Sequence, residues 1–191
     1  MKLLEERILK DGKIGQGDVL KVDSFLNHQI DVAFVQELGK EFHRLFADCG
    51  VNKILTIEAS GIGIACLTAQ YFNCPVVFAK KTKTNNIYSD VYTSQVDSYT
   101  HSRTYDIVVS SEFLKSGDRV LIIDDFLAKG SALLALLSLI RAANAEVVGA
   151  GIVIEKAYQQ GGQLVRNMGV RVESLARIAS MSVEEGITFV G

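Results

Sequence analysis

The chain has 191 residues, 48% of them hydrophobic and 22% charged, with a formal net charge of −2. That length suits one domain with a sizeable core, and the composition excludes a disordered chain. The near balance of charge gives no broad electrostatic reason to expect nucleic acid, and no run approaches the roughly 18 apolar residues of a membrane span.

Residues 1–11 mix charges with Leu3, Leu4, Ile8 and Leu9 at helical spacing, which predicts an amphipathic helix rather than a signal peptide. Residues 12–27 fit no regular element and are too long for an ordinary connection, which points to a functional segment. Residues 31–47 read as a helix with a stripe of Val35, Leu38, Phe42, Leu45 and Phe46 and with Asp31 as N-cap. A strand over 53–57, a helix over 61–72 and a strand over 76–79 follow, the last introduced by the single proline, Pro75. Residues 91–110 alternate polar and apolar side chains, with Tyr105, Ile107 and Val109 on one face, which predicts an antiparallel hairpin. Ser116-Gly117-Asp118 is a turn into a strand at 120–123. A helix over 132–143 closes at Asn144, a residue suited to the left-handed region. A strand over 146–154, a helix over 158–166 and a strand over 170–176 complete the pattern. Strands alternating with helices predict an α/β fold with a mostly parallel central sheet flanked by helices.

Cys49, Cys66 and Cys74 are odd in number and lie in apolar stretches, which predicts buried reduced thiols and a reducing cytoplasm. His28, His43 and His101 are scattered, and no Cys/His spacing resembles a zinc site.

Three segments carry chemistry. Val120-Leu121-Ile122-Ile123 reads as a buried parallel strand, and Asp124 and Asp125 follow it. A short loop with Ala128, Lys129, Gly130 and Ser131 then enters a helix at Ala132. A small-residue loop at a helix N-terminus suits a phosphate, because free N–H groups point outward and the helix dipole favours an anion. Paired carboxylates supply acceptors for sugar hydroxyls or ligands for hydrated magnesium, so the stretch suits a phosphorylated sugar. The second segment, Glu58-Ala59-Ser60-Gly61-Ile62-Gly63, lets backbone approach a ligand closely. A dinucleotide-binding reading of Gly61-Ile62-Gly63 is weak: Cys66 replaces the third glycine, and Lys80 and Lys81 stand where the acidic residue should. The third segment, Lys80-Lys81-Thr82-Lys83-Thr84-Asn85-Asn86, offers ammonium groups for pyrophosphate oxygens or is a solvated surface run.

The ordered set from Val120 to Ala132 resembles the 5-phosphoribosyl 1-diphosphate (PRPP) motif of the type I phosphoribosyltransferases. The wider layout resembles the purine branch of that family that handles xanthine. It includes Glu-Ala-Ser-Gly-Ile-Gly at 58–63, Phe-Ala-Lys-Lys at 78–81, Asp-Asp-Phe-Leu-Ala-Lys-Gly-Ser-Ala at 124–132 and Ile-Glu-Lys at 154–156. The resemblance implies that residues 1–191 form one type I phosphoribosyltransferase domain. In it residues 1–30 contribute a hood over the base, and residues 80–110 a flexible hairpin lid carrying Tyr88, Tyr92, Ser94 and Tyr99. It implies that Asp124 and Asp125 are catalytic and bind the ribose hydroxyls. Ala128, Lys129, Gly130, Ser131 and Ala132 would bind the 5′-phosphate of PRPP, and Ser60, Gly61, Gly63 and Lys81 the pyrophosphate. Leu20, Asn27 and Lys156 are the implied xanthine contacts. Lys156 resembles the lysine that donates to the C6 oxygen of 6-oxopurines, which disfavours adenine because an ammonium group only donates. Magnesium would travel with PRPP and pyrophosphate rather than sit in a protein-only site. The expected setting is purine salvage, by a cytoplasmic homodimer without nucleic-acid or membrane partners. Two rivals remain: a guanine or hypoxanthine enzyme, and a non-enzymatic PRPP sensor. Against the sensor, residues 1–30 hold no convincing helix-turn-helix and no basic cluster.

Overall fold

The computed structural model describes residues 1–17, 19–81, 90–98 and 103–191. In chain order they form α1 (Lys2–Asp11), β1 (Lys13–Gly15), β2 (Val19–Lys21), a π-helical turn (Asp23–Asn27), α2 (Val32–Phe46), β3 (Lys53–Ile57), α3 (Ser60–Phe72) and β4 (Val76–Ala79). Next come β5 (Val91–Ser98), β6 (Arg103–Ser110), β7 (Arg119–Leu127), α4 (Ser131–Ala142), β8 (Glu146–Lys156), α5 (Gly161–Asn167), β9 (Val172–Ser182) and β10 (Gly186–Phe189).

Six strands make one sheet in the order β10-β9-β8-β7-β3-β4. All neighbours are parallel except β10, which runs antiparallel to β9. The period of two along β7 sends Leu121 and Ile123 into a core with α1, α2 and α3, and Val120 and Ile122 into a second core with α4. Two layers of helix therefore cover the sheet, and the near-continuous apolar run of β7 follows from burial on both faces. Phe42 of α2 comes so close to β8 that a Cβ on Gly151 would lie 2.7 Å from its ring.

Asp31 caps α2 as its sequence position implies, accepting from the Phe34 amide at 3.2 Å. Asn144 takes the left-handed conformation, with φ 53°. The hairpin expectation also holds: β5 and β6 pair antiparallel from Val91↔Ser110 to Ser98↔Arg103. One face of it is anchored, because Val96, Ile107 and Val109 are buried in the second core and Lys80 bridges to Val108. The expectation of a flexible lid also falls on residues 82–89 and 99–102, Tyr88 and Tyr99 among them, which lie outside the described residues.

Four expectations need correction. Residues 12–27 are not irregular: β1 and β2 pair, and the π-helical turn buries Phe25 and Leu26. Arg7 pins this segment, bonding Asp31 at 3.0 Å and lying 5.0 Å and 5.1 Å from the Phe25 and Phe34 ring centres. Helix α5 starts at Gly161 rather than 158, because residues 157–160 form a turn in which the Gln159 amide donates to the Lys156 carbonyl at 2.9 Å. The last strand runs on to Ser182 and gains β10; hydroxyls such as Ser180, bonded across to Thr188 at 2.6 Å, hid this pair. None of the three cysteines is buried, and Cys66 is exposed on α3.

Candidate active site

The parallel strands bring the chemical segments to one end of the sheet. After β3 the chain moves outward to β4 and later returns to β7 on the other side of β3. The strand order reverses between β3 and β7, and ligands bind at the carboxyl ends of strands at such a point. The loop after β3, the acid pair of β7 and the end of β8 all converge there.

Asp124 and Asp125 do not follow the strand but lie inside it, since β7 continues to Leu127 and pairs with β8 through Asp124↔Ile152 and Leu127↔Glu155. Asp124 is 4% exposed. Its Oδ1 accepts from the Asp125 amide at 3.0 Å, and Asp125 Oδ1 accepts from the Phe126 amide at 2.9 Å. Burial, and then the neighbouring Asp125, push the Asp124 carboxyl well above the usual carboxylate range, with Lys81 opposing weakly. The pair thus sets a buried carboxyl that resists ionisation beside a half-buried one.

The loop after β7 turns at Gly130, the N-cap of α4, with φ 88°. Only glycine adopts that angle readily, and the turn aims the first amides of α4 outward. The loop is backed from behind: the Gly161 amide donates to the Ala128 carbonyl at 3.1 Å. Lys129 is exposed, and Ser131 and Ala132 are half-buried at the start of α4.

The loop after β3 lies against the acid pair. A Cβ on Gly61 would stand 3.4 Å from Asp124 Oδ1 and only 2.1 Å from Thr56 Oγ1, so no larger residue fits. The Glu58–Ala59 peptide is cis, and Ser60 begins α3. Glu58 joins this loop to the basic one, its Oε1 accepting from the Lys81 amide at 2.5 Å. Lys81 Nζ lies 5.6 Å from the centre of the Tyr105 ring.

In the N-terminal segment, Leu20 is buried in β2, and Asn27 ends the π-helical turn. The Asn27 Oδ1 is buried without a hydrogen-bond partner among the described residues. The N-terminal segment touches the first turn of α3, since a Cβ on Gly63 would fall 2.5 Å from Ile30 Cδ1. Lys156 is half-buried as the last residue of β8. Gly61 and Asp124 are therefore in direct proximity, as are Gly130 and the start of α5. Leu20 and Asn27 belong to a separate wall.

Sequence reasoning passed over Glu155. This residue is 2% exposed and ion-paired to Arg166 and Arg177. The signal was available: a carboxylate directly after the apolar run Ile152-Val153-Ile154 of a buried strand needs a partner.

The model of the phosphoribosyl transferase domain matches residues 21–174. The chain belongs to the phosphoribosyltransferase family. A xanthine phosphoribosyltransferase of Lachnoclostridium phytofermentans is 59% identical over 97% of this chain and 96% of its own. One of Ruminiclostridium cellulolyticum is 58% identical over 95% of each chain. Solved structures share the fold at lower identity. The adenine phosphoribosyltransferase of Rhodothermus marinus superposes with a TM-score of 0.74 at 20% identity, covering 92% of this chain and 98% of that one. That of Trypanosoma brucei, in complex with AMP, pyrophosphate and ribose-5-phosphate, gives 0.77 at 20% identity over 96% and 83%. The expected type I phosphoribosyltransferase fold is thus the observed one, with its mostly parallel sheet between helices. Among the described residues no helix is long and apolar enough to cross a membrane.

Proposed function

We propose that this chain transfers the 5-phosphoribosyl group from PRPP to xanthine, giving xanthosine 5′-monophosphate and pyrophosphate in purine salvage. The 59% identity over 97% of the chain to an enzyme named for that base carries the reading. The geometry supports the sugar half: an acid pair within the central strand, with a backed phosphate loop on one side and a glycine loop on the other.

A ring nitrogen of the base bonds to C1 of the ribose as the C1–oxygen bond to pyrophosphate breaks, its electron pair leaving with the pyrophosphate, and the base releases its imidazole N–H proton to solvent. Asp124 and Asp125 accept from the ribose hydroxyls and stabilise positive charge growing at the sugar. Residues 128–132 hold the 5′-phosphate on the first amides of α4. Ser60, Gly61, Gly63 and Lys81 bind the pyrophosphate. Among the described residues no three His, Cys, Asp or Glu side chains converge as a metal cage. Asp124 and Asp125, with ligand oxygens, would supply the hard oxygen donors that suit magnesium, and the ion would offset charge on the leaving pyrophosphate. Lys156 donates to the C6 oxygen, the Asn27 side-chain N–H donates to the C2 oxygen while its unpaired Oδ1 accepts from a neighbouring ring N–H, and Leu20 packs on the ring. The β5–β6 hairpin closes over the site and keeps water from the sugar cation. Catalysis then rests on positioning and electrostatics, without a covalent protein intermediate. A cytoplasmic homodimer is the proposed working form.

Incubating the protein with PRPP, magnesium and xanthine, guanine or hypoxanthine in competition tests the reading. Xanthosine 5′-monophosphate should dominate. A preference for guanine or hypoxanthine would move the assignment to a sister activity, and no nucleotide from any base would leave a PRPP sensor.

A further inference from the structure

The carboxylate of Glu155 is saturated. Arg166 Nη1 donates to Oε1 at 2.7 Å and Nη2 to Oε2 at 2.8 Å, a two-pronged grip. Ser174 Oγ donates to Oε2 at 2.5 Å, and Arg177 Nε lies 3.4 Å from the same oxygen. Arg166 Nη2 also reaches the Val172 carbonyl at 3.2 Å. One buried side chain thus ties the end of β8 to α5 and β9. Buried ion pairs add little stability over apolar residues of the same size, but they fix direction.

The location gives that direction a use. Glu155 pairs in register with Leu127 of β7, and the next residues along the two strands are Lys156 and Ala128. The pair sits at the fork between the base-side lysine and the phosphate loop. Helix α5 carries the link onward. A Cβ on Gly162 would lie 2.0 Å from Glu155 Oε1, and one on Gly161 would lie 2.4 Å from the Ala128 carbonyl oxygen and 2.5 Å from the Gly130 nitrogen. Two adjacent glycines are wedged between the carboxylate and the loop.

We propose that the Glu155–Arg166 pair is a positioning device that seats the phosphate loop and the base-side end of β8 together, so that loosening it weakens both halves of the site at once. This rests on the reading given under Proposed function. It predicts a pattern that no single binding residue gives. Loss of Lys156 affects the base alone, whereas loss of the pair affects base and phosphate in parallel.

Arg166→Lys tests this, since lysine keeps the charge but not the planar fork. Affinity for ribose 5-phosphate, by calorimetry, should fall about tenfold and the KM for xanthine should rise about tenfold. Turnover at saturation should change by less than about threefold, because a small displacement acts on both ligands before the chemical step. A purely structural role would lower Tm and leave both constants unchanged at 25 °C, where the protein is still folded. Unchanged ribose 5-phosphate affinity, or a loss at one half only, overturns the proposal. If Arg166→Lys does not fold, Ser174→Ala removes only the hydroxyl donor and should give the same paired change at about threefold; no change there overturns it equally. If the parent protein does not turn over xanthine, the functional reading fails instead, and the ribose 5-phosphate titration alone decides.

Discussion

Burial, and then the neighbouring Asp125, raise the Asp124 carboxyl well above its ordinary range in the folded chain. In the unfolded chain an aspartate has lost its proton above about pH 4. The folded state therefore binds the extra proton, and this residue's contribution to stability declines as pH rises from the ordinary value toward the raised one. Asp124→Asn removes the ionisation and keeps the acceptor for the Asp125 amide. Its Tm should exceed the parent's by about 2 °C or more at neutral pH, and the gap should close near pH 4 in a calorimetric series. The catalytic consequence runs the other way: Asp124→Asn with Asp125→Asn should cut turnover on the order of 10²-fold, and near-normal turnover in the folded double mutant would sink the assigned role. At the base, Lys156→Ala should weaken xanthine, guanine and hypoxanthine alike by about ten- to a hundred-fold, the cost of a charge-assisted hydrogen bond. Asn27→Ala should instead narrow the xanthine preference, because the three bases differ at C2. The kcat/KM of each base with each mutant checks both. These residues stood out in the sequence because their types suit the proposed tasks. Glu155 was not, because its partners Arg166, Ser174 and Arg177 lie on other elements and nothing local in the chain brings them together.

Elements were legible where one period dominates. The stripe of α2 and its cap, Asp31, were fixed by residues within a few positions of each other. The strand ends were not: β7 runs past the acid pair and β8 through Lys156, because pairing between neighbours extends both strands beyond their apolar stretches. The β1–β2 pair was missed for a related reason, since three-residue strands are too short to show alternation. The phosphate loop gives a sharp test. At Gly130 a side chain would face φ 88° and the Gly161 Cα at 3.1 Å. Gly130→Val should lower PRPP affinity by about tenfold or more while the protein stays folded. Unchanged binding by calorimetry would place the 5′-phosphate elsewhere. If the β5–β6 hairpin covers the ligands, its amides should exchange more slowly with PRPP and a base analogue bound together, and equal exchange in both states would remove it from the mechanism.

At the scale of the molecule, alternation of strands and helices sufficed for a parallel sheet between helical layers, while β10 and the extension of β9 stayed hidden. Buried charge also shapes the acid stability of the whole. Burial alone would push the Glu155 carboxyl up, but Arg166 and Ser174 hold it below its ordinary value of 4.5. Stability from this group is therefore present above that value and lost as pH falls through the lower folded one. Glu155→Gln leaves Arg166 without its counter-charge and should destabilise by about 2 kcal/mol at pH 7. The difference should shrink below about pH 4, as denaturant titration at several pH values will show.

The sheet ends on one side at β10, a strand of four residues whose register slips between Thr188 and Phe189. A bulge on an edge strand twists it away from any chain that might extend the ladder. At high concentration this border offers a poor template for open-ended growth, even though Val183 beside it is 72% exposed. Straightening it, by deleting one residue at the slip, should convert a blunt margin into an aggregation seed.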